Sequence, residues 1–146
     1  MNETFPKEYL KETDSILCLF CAAFGGVQDV KYVYEAGIKD CIMVDWDKEK
    51  LMAMKYPYAK VEADCFDYID KCIAENKIFD VVISDQWTQQ MDIININYLE
   101  RLKQITKRVL IIGCSQQFID KGNIVNEPLL KRSTHLGGIF WRIITK

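Results

Sequence analysis

Four strongly apolar runs and one weaker one alternate along the chain with segments whose apolar residues recur at helical spacing. The runs are "SILCLF" (15–20), "CIMVD" (41–45), the weaker "KVEAD" (60–64), "FDVVISD" (79–85) and "RVLIIGCS" (108–115). Strands that are apolar along their whole length have both faces covered, and strands separated by helices are joined by crossovers that make them parallel. This alternation predicts an α/β layer structure with a mostly parallel sheet.

The helical segments carry their own punctuation. Val27, Val30, Val33 and Tyr34 form a stripe that Gly37 ends from a C′ position. Asp47 is placed to cap a helix bearing Leu51, Met52 and Met54, closed by Pro57. Asp67 is the expected cap of a helix with Tyr68, Ile69, Cys72 and Ile73 on one side, and Ile94, Tyr98, Leu99, Leu102 and Ile105 mark what should be the longest helix. The ending breaks the rhythm: "PLLKRSTHL" and "IFWRIITK" flank Gly137 and Gly138, a hairpin signal that predicts an antiparallel last strand. No Pro/Gly/Ser-rich linker, repeat or low-complexity tract divides the chain, so residues 1–146 are expected to form a single domain.

Charge and cysteines narrow the setting. With 19 basic and 21 acidic residues the formal charge is −2, which gives no overall field for gathering nucleic acid. No apolar stretch reaches the about 20 residues that cross a bilayer. The opening "MNETFPKEYLKETD" has no apolar export block, so a cytoplasmic protein is expected. Of six cysteines, Cys18, Cys41 and Cys114 lie within or at the end of apolar runs and read as reduced, packed thiols. Cys18 and Cys21 have CxxC spacing, but residues three apart on a strand face opposite ways. With one histidine and no second CxxC, no metal is expected.

In an open α/β sheet ligands lie beyond the carboxyl ends of the strands, so the residues that follow each strand are the informative ones. After the first comes "CAAFGG", where Gly25 and Gly26 let backbone amides approach a ligand. Asp45 closes the second strand twenty positions after Gly25, a spacing that suits an acid accepting from both ribose hydroxyls of a nucleoside. Trp46 beside it offers a flat cover for an adenine face. After the third strand stand Asp64, Cys65 and Phe66: an acceptor for an exocyclic amine, a backbone amide and a second aromatic. Together they describe an adenosine site. Each also has a plain structural reading, as turn, cap or packing under a loop.

These residues resemble the class I S-adenosylmethionine-dependent methyltransferases over nearly the whole chain as an order of elements. The resemblance implies a Rossmann-like class I methyltransferase fold whose C-terminal hairpin supplies an antiparallel strand. The segment "LFCAAFGGVQDVKYVYEAGIKDCIMVDWDKEK" is similar to the opening of DNA cytosine-5 methyltransferases. It implies S-adenosyl-L-methionine as cofactor, with Phe20, Gly25 and Gly26 at the turn, Asp45 on the ribose, Trp46 on the adenine, and Asp64 with Phe66 at its edge and face. Two departures stand out. The turn carries an extra residue and has Ala22 or Ala23 where a glycine is expected. The fourth strand leads to "SDQWTQQMD" in place of the Pro-Cys pair of the cytosine-5 enzymes, so covalent cytosine chemistry is not expected there.

Asp85, Gln86 and Trp87 instead resemble the Asp/Asn-Pro-Pro-aromatic motif of amino-group methyltransferases without its prolines. The resemblance implies a catalytic segment in which Asp85 accepts from an acceptor amine, Gln86 orients it and Trp87 walls it. The expected acceptor is a small molecule or an exposed nucleobase, with a protein partner left open. His135 and the basic stretch "LLKRSTH" read as parts of a solvated strand face. Two rival functions follow from the same residues: a non-catalytic cofactor-binding subunit or inhibitor, and a nicotinamide-dependent reductase, against which the lack of a good G-x-G-x-x-G counts.

Overall fold

A computed structural model of the chain describes residues 5–22, 29–84, 95–115, 129–130 and 139–146. Among the described residues seven strands form one sheet: β1 (Ser15–Leu19), β2 (Asp40–Asp45), β3 (Ala59–Glu62), β4 (Phe79–Ser84), β5 (Thr106–Ser115), β6 (Leu129–Leu130) and β7 (Ile139–Thr145), in the order β3-β2-β1-β4-β5-β7-β6. β1 to β5 are mutually parallel. β7 runs antiparallel to β5 and to β6, as the terminal pattern predicts. The Gly137–Gly138 turn and His135 lie outside the described residues.

Among the described residues the helices are α1 (Val30–Glu35), α2 (Lys48–Ala53), α3 (Cys65–Ala74) and α4 (Asn95–Gln104), preceded by a short 3₁₀ turn at Lys7–Tyr9. Period-two alternation along the strands divides the core in two. On one face Ile16, Cys18, Met43, Val81, Ile83 and Ile111 pack with Val30 and Val33 of α1 and Leu51 of α2. On the other, Leu17, Leu19, Val44, Val82 and Leu110 pack with Tyr68 and Ile69 of α3 and Tyr98 and Leu102 of α4. The wholly apolar runs are thus explained: the central strands are covered on both sides, whereas the edge strand β3, the weaker run, is exposed to half-buried.

Local signals set the element ends. Gly37 takes φ +76°; its N–H donates to Tyr34 O at 3.0 Å and that of Ile38 to Val33 O at 3.4 Å, the paired bonds of a Schellman ending. Asp47 Oδ1 accepts from Lys50 N at 3.1 Å and caps α2 as predicted. The expectation for α3 needs correction. Asp64, not Asp67, is its cap, accepting from Phe66 N and Asp67 N at 2.8 and 3.1 Å, so the helix starts at Cys65. Starting there puts Cys65, Tyr68, Ile69 and Cys72 on one buried stripe at i, i+3, i+4 and i+7, which a start after Asp67 would cut short. The described part of α4 runs over ten residues, as α3 does, and Ile94 lies outside the described residues.

The segment before β1 closes the α1 face of the sheet. Phe5 is fully buried, stacked on Tyr32 (ring centroids 5.4 Å) and edge-on to Trp141 (5.0 Å). Arg108 of β5 anchors this segment through the Asp14 carboxylate and, at 3.1 Å, the Tyr9 carbonyl. No described helix is long and apolar enough to cross a membrane.

Candidate nucleoside site at the strand ends

The strand order reverses about β1, which lies between β2 and β4. Leu19 pairs with Val44 on one side and Ser84 on the other, so the three strands end level. Beyond that edge is the crevice where open α/β sheets take ligands.

Phe20 leaves β1 with φ +57°, and its N–H donates to Val44 O at 3.0 Å. A left-handed step of this kind costs an aromatic residue about 1–2 kcal/mol. It bends the chain toward β2, where the Ala22 N–H donates to Asp45 Oδ2 at 3.0 Å. Asp45 Oδ1 accepts from Asp47 N, also at 3.0 Å, and the residue is only 4% exposed. The acid closing β2 therefore faces the turn after β1 and not open solvent. Among the described residues each of its oxygens accepts from one donor, which leaves a second lone pair on each.

Around Asp45 the other predicted residues gather. Trp46 is 69% exposed and its indole stacks on no described ring, so it stands ready as a flat surface. Asp64 spends Oδ1 on the α3 cap, while Oδ2 receives no hydrogen bond among the described residues. The Cys65 N–H, at the first helical position, donates to no described group. Its thiol is buried, Sγ donates to Val44 O at 3.6 Å, and burial pushes its pKa up to about 12, so it is no nucleophile. Phe66 sits edge-on between Phe20 (5.8 Å) and Tyr98 (5.1 Å). The Tyr98 hydroxyl in turn shares a 2.7 Å hydrogen bond with Ser84 Oγ at the end of β4.

The structure thus brings Phe20, Asp45, Trp46, Asp64, Cys65 and Phe66 to one edge of the sheet. Gly25 and Gly26, and the expected catalytic Asp85, Gln86 and Trp87, lie outside the described residues. Cys18 and Cys21 both lie in the core cluster on the α1 face of the sheet, not on opposite faces as the strand spacing predicts. Cys18 Sγ lies 3.9 Å from Cys41 Sγ, and Cys21 Sγ reaches Val44 O at 3.7 Å. Among the described residues no group of three His, Cys, Asp or Glu side chains could hold a metal. A separate recess of about 570 Å³, lined by Tyr34, Gly37, Ile38, Pro57 and Tyr58, contains none of the predicted site residues.

Sequence reasoning missed one group. Asp29, the cap of α1, is completely buried; Oδ1 accepts from Val30 N at 2.6 Å, and Oδ2 has no hydrogen-bond partner among the described residues. Burial pushes its carboxyl up to about 7, with a smaller rise from the charge of Asp45, against the downward pull of the Val30 and Asp29 N–H groups. The only cue in the sequence is an acid directly before the α1 stripe, where any helix cap would stand.

No family model and no curated protein matches the sequence. Solved structures do match in fold. A SAM-dependent methyltransferase from Agrobacterium tumefaciens superposes with TM-score 0.67 at 13% identity over 94% of this chain and 57% of its own. The ribosomal protein L11 methylase of Lactobacillus delbrueckii subsp. bulgaricus gives 0.66 at 12% over 96% and 73%. Spermidine synthase from Thermotoga maritima gives 0.66 at 16% over 99% and 60%. The chain therefore spans little more than half the length of the first and third of these. At such identities the likeness is one of fold, and the fold is the Rossmann-like class I methyltransferase type, with its mostly parallel sheet and antiparallel C-terminal strand.

Proposed function

We propose that the chain binds S-adenosyl-L-methionine across the ends of β1, β2 and β3 and transfers its methyl group by direct displacement to a nitrogen or oxygen of a small molecule or exposed nucleobase. One observation carries the reading: Asp45, buried at the end of β2, is tied to the Ala22 N–H of the turn after β1, with the exposed Trp46 indole beside it. The surrounding groups fit the cofactor. Asp45 keeps acceptor capacity for a sugar diol, Trp46 offers a stacking face for a purine, and the Cys65 N–H and Asp64 Oδ2 offer a donor and an acceptor for its edge.

When bound, the cofactor supplies an already activated sulfonium methyl. The protein's task is then to align an acceptor and exclude water. Asp85, Gln86 and Trp87 directly follow Ser84 in the chain, and we assign to them acceptance of the acceptor's hydrogen bond, its orientation and an apolar wall. The resemblance of residues 19–50 to the opening of DNA cytosine-5 methyltransferases is part of this proposal, and no family model or curated protein matches it. Their covalent chemistry is not part of it, because no Pro-Cys pair follows β4. A cytoplasmic setting accords with the free thiols of Cys18, Cys21, Cys41, Cys65 and Cys72.

A spermidine synthase shares the fold, so the group transferred is the point to test. Methyl-labelled S-adenosylmethionine is incubated with pools of amines, nucleosides and RNA, and label is followed together with S-adenosylhomocysteine release. Labelled product from the wild type, lost in Asp85→Ala while S-adenosylhomocysteine affinity holds, is expected. Turnover unchanged in Asp85→Ala refutes that residue's role. Cofactor binding without label transfer to any pool refutes the enzymatic reading in favour of a binding subunit.

A further inference from the structure

Tyr98 of α4 and Ser84 of β4 place two hydroxyls where packing alone would ask for none. Both residues are wholly buried, and their side-chain oxygens share a hydrogen bond of 2.7 Å. Phe and Ala would fill the same space, and exchanging both partners of a buried neutral hydrogen bond for apolar groups of like shape is nearly neutral for stability. The pair therefore contributes direction more than energy. Burial raises the pKa of the Tyr98 phenol against the lowering pull of the Ser84 bond, so the group is a fixed hydroxyl and no general base.

Its place in the fold gives the pair a task. Ser84 is the last residue of β4, level with Leu19 of β1 at the rim of the crevice, and the chain runs on from it to Asp85. The Tyr98 ring meets Phe66 edge-on at 5.1 Å, and Phe66 meets Phe20 at 5.8 Å. Phe20 belongs to the turn after β1 and Phe66 to the first turn of α3, both of them at the nucleoside side of the crevice. The Arg101 guanidinium lies 5.9 Å from the centre of the Phe66 ring and is held by the Asp70 carboxylate at 2.8 Å, which restrains that ring from a further side. One train of side-chain contacts thus runs from the nucleoside side to the exit of β4.

We propose that Tyr98 is a positioning residue: through Ser84 it fixes the exit of β4 relative to Phe66 and Phe20, so that a ligand seated in the crevice restrains the strand that Asp85 follows. The inference rests on the reading of the crevice as a cofactor site and adds a route by which cofactor binding acts on the acceptor side. A ligand packed on Phe66 narrows the motion of that ring, and close-packed rings pass the restraint to the hydroxyl pair.

Hydrogen–deuterium exchange followed by mass spectrometry, with S-adenosylhomocysteine as the probe, reads that restraint. In the wild type the ligand should slow exchange about threefold or more both in residues 40–47, around Asp45, and in residues 79–87. The double variant Ser84→Ala/Tyr98→Phe should melt within a few degrees of the wild type and bind the probe within about twofold. It should keep the slowing at 40–47 and lose it at 79–87.

Full slowing at 79–87 in the double variant overturns the proposal, since the ligand then acts on that stretch by direct contact. Slowing confined to 40–47 in the wild type also overturns it. So does a double variant that unfolds, or one that exchanges faster at 79–87 to the same degree with and without ligand, because the pair is then a bond the fold needs and carries nothing from the crevice. Failure of the probe to bind the wild type overturns the cofactor reading beneath it, a result distinct from binding with the slowing confined to 40–47.

Discussion

Replacing Trp46 with alanine separates binding from folding more cleanly than any other change at the site. The indole is 69% exposed and packs on no described ring, so its removal takes little from the core. Stability should stay within about 0.5 kcal/mol of the wild type, as for surface substitutions generally. Stacking of a base on an aromatic side chain is worth about 1–3 kcal/mol by alanine substitution, which corresponds to about 5- to 150-fold in affinity. Trp46→Ala should therefore bind S-adenosylhomocysteine weaker by that factor while melting with the wild type, and Trp46→Phe should recover most of the affinity. Isothermal calorimetry paired with a thermal melt reads both. Affinity within twofold of wild type in the alanine variant would show that the indole covers no purine. A loss of stability matching the loss of affinity would show that the ring is structural after all.

Three further outcomes follow from particular contacts. Asp45→Ala strands the Ala22 and Asp47 N–H groups, and with charge-assisted bonds worth about 1.5–3 kcal/mol each the loss should be about 3–6 kcal/mol in urea unfolding; a variant within about 1 kcal/mol of wild type contradicts the bonding described. Gly37→Ala places a Cβ 3.6 Å from the Glu12 side chain, an ordinary contact, so only the φ of +76° is penalised, at about 1–2 kcal/mol; a neutral result would mean the α1 ending relaxes. Asp29 has its carboxyl raised to about 7 in the fold, so between the unfolded value near 3.8 and that value the native state holds the proton more tightly. Stability from this group is fully present below the unfolded pKa and lost as pH rises to about 7, by up to about 4 kcal/mol. Asp29→Asn should flatten that decline in urea midpoints measured across the range, and an equally steep decline in the variant would assign the effect elsewhere.

Legibility in the sequence followed the range of the interactions involved. β1, β2, β4 and β5 lie within a residue or two of where the apolar runs put them, because burial on both faces of a parallel sheet leaves a continuous signature. The Gly37 ending and the Asp47 cap were readable because each depends on one residue and its immediate neighbours. Asp64 and Asp67 were not separable this way: both are acids before an apolar stripe, and only the packing of Cys65 against Val44 decides which one starts α3. The placement of Asp45, Trp46 and Phe66 at the strand ends was legible from the order of the apolar runs. The positive φ of Phe20 and the isolation of Asp29 were not, since both arise from how β1, β2 and α1 meet. The same holds for Phe5, whose partners Tyr32 and Trp141 are remote in the chain.

The most direct test is a crystal structure of the protein soaked or grown with S-adenosylhomocysteine. The account predicts ligand density beyond β1 and β2, with both ribose hydroxyls donating to the Asp45 carboxylate and the adenine lying against Trp46. Density for the ligand elsewhere on the molecule, with Asp45 still bonded only to Ala22 and Asp47, would contradict it.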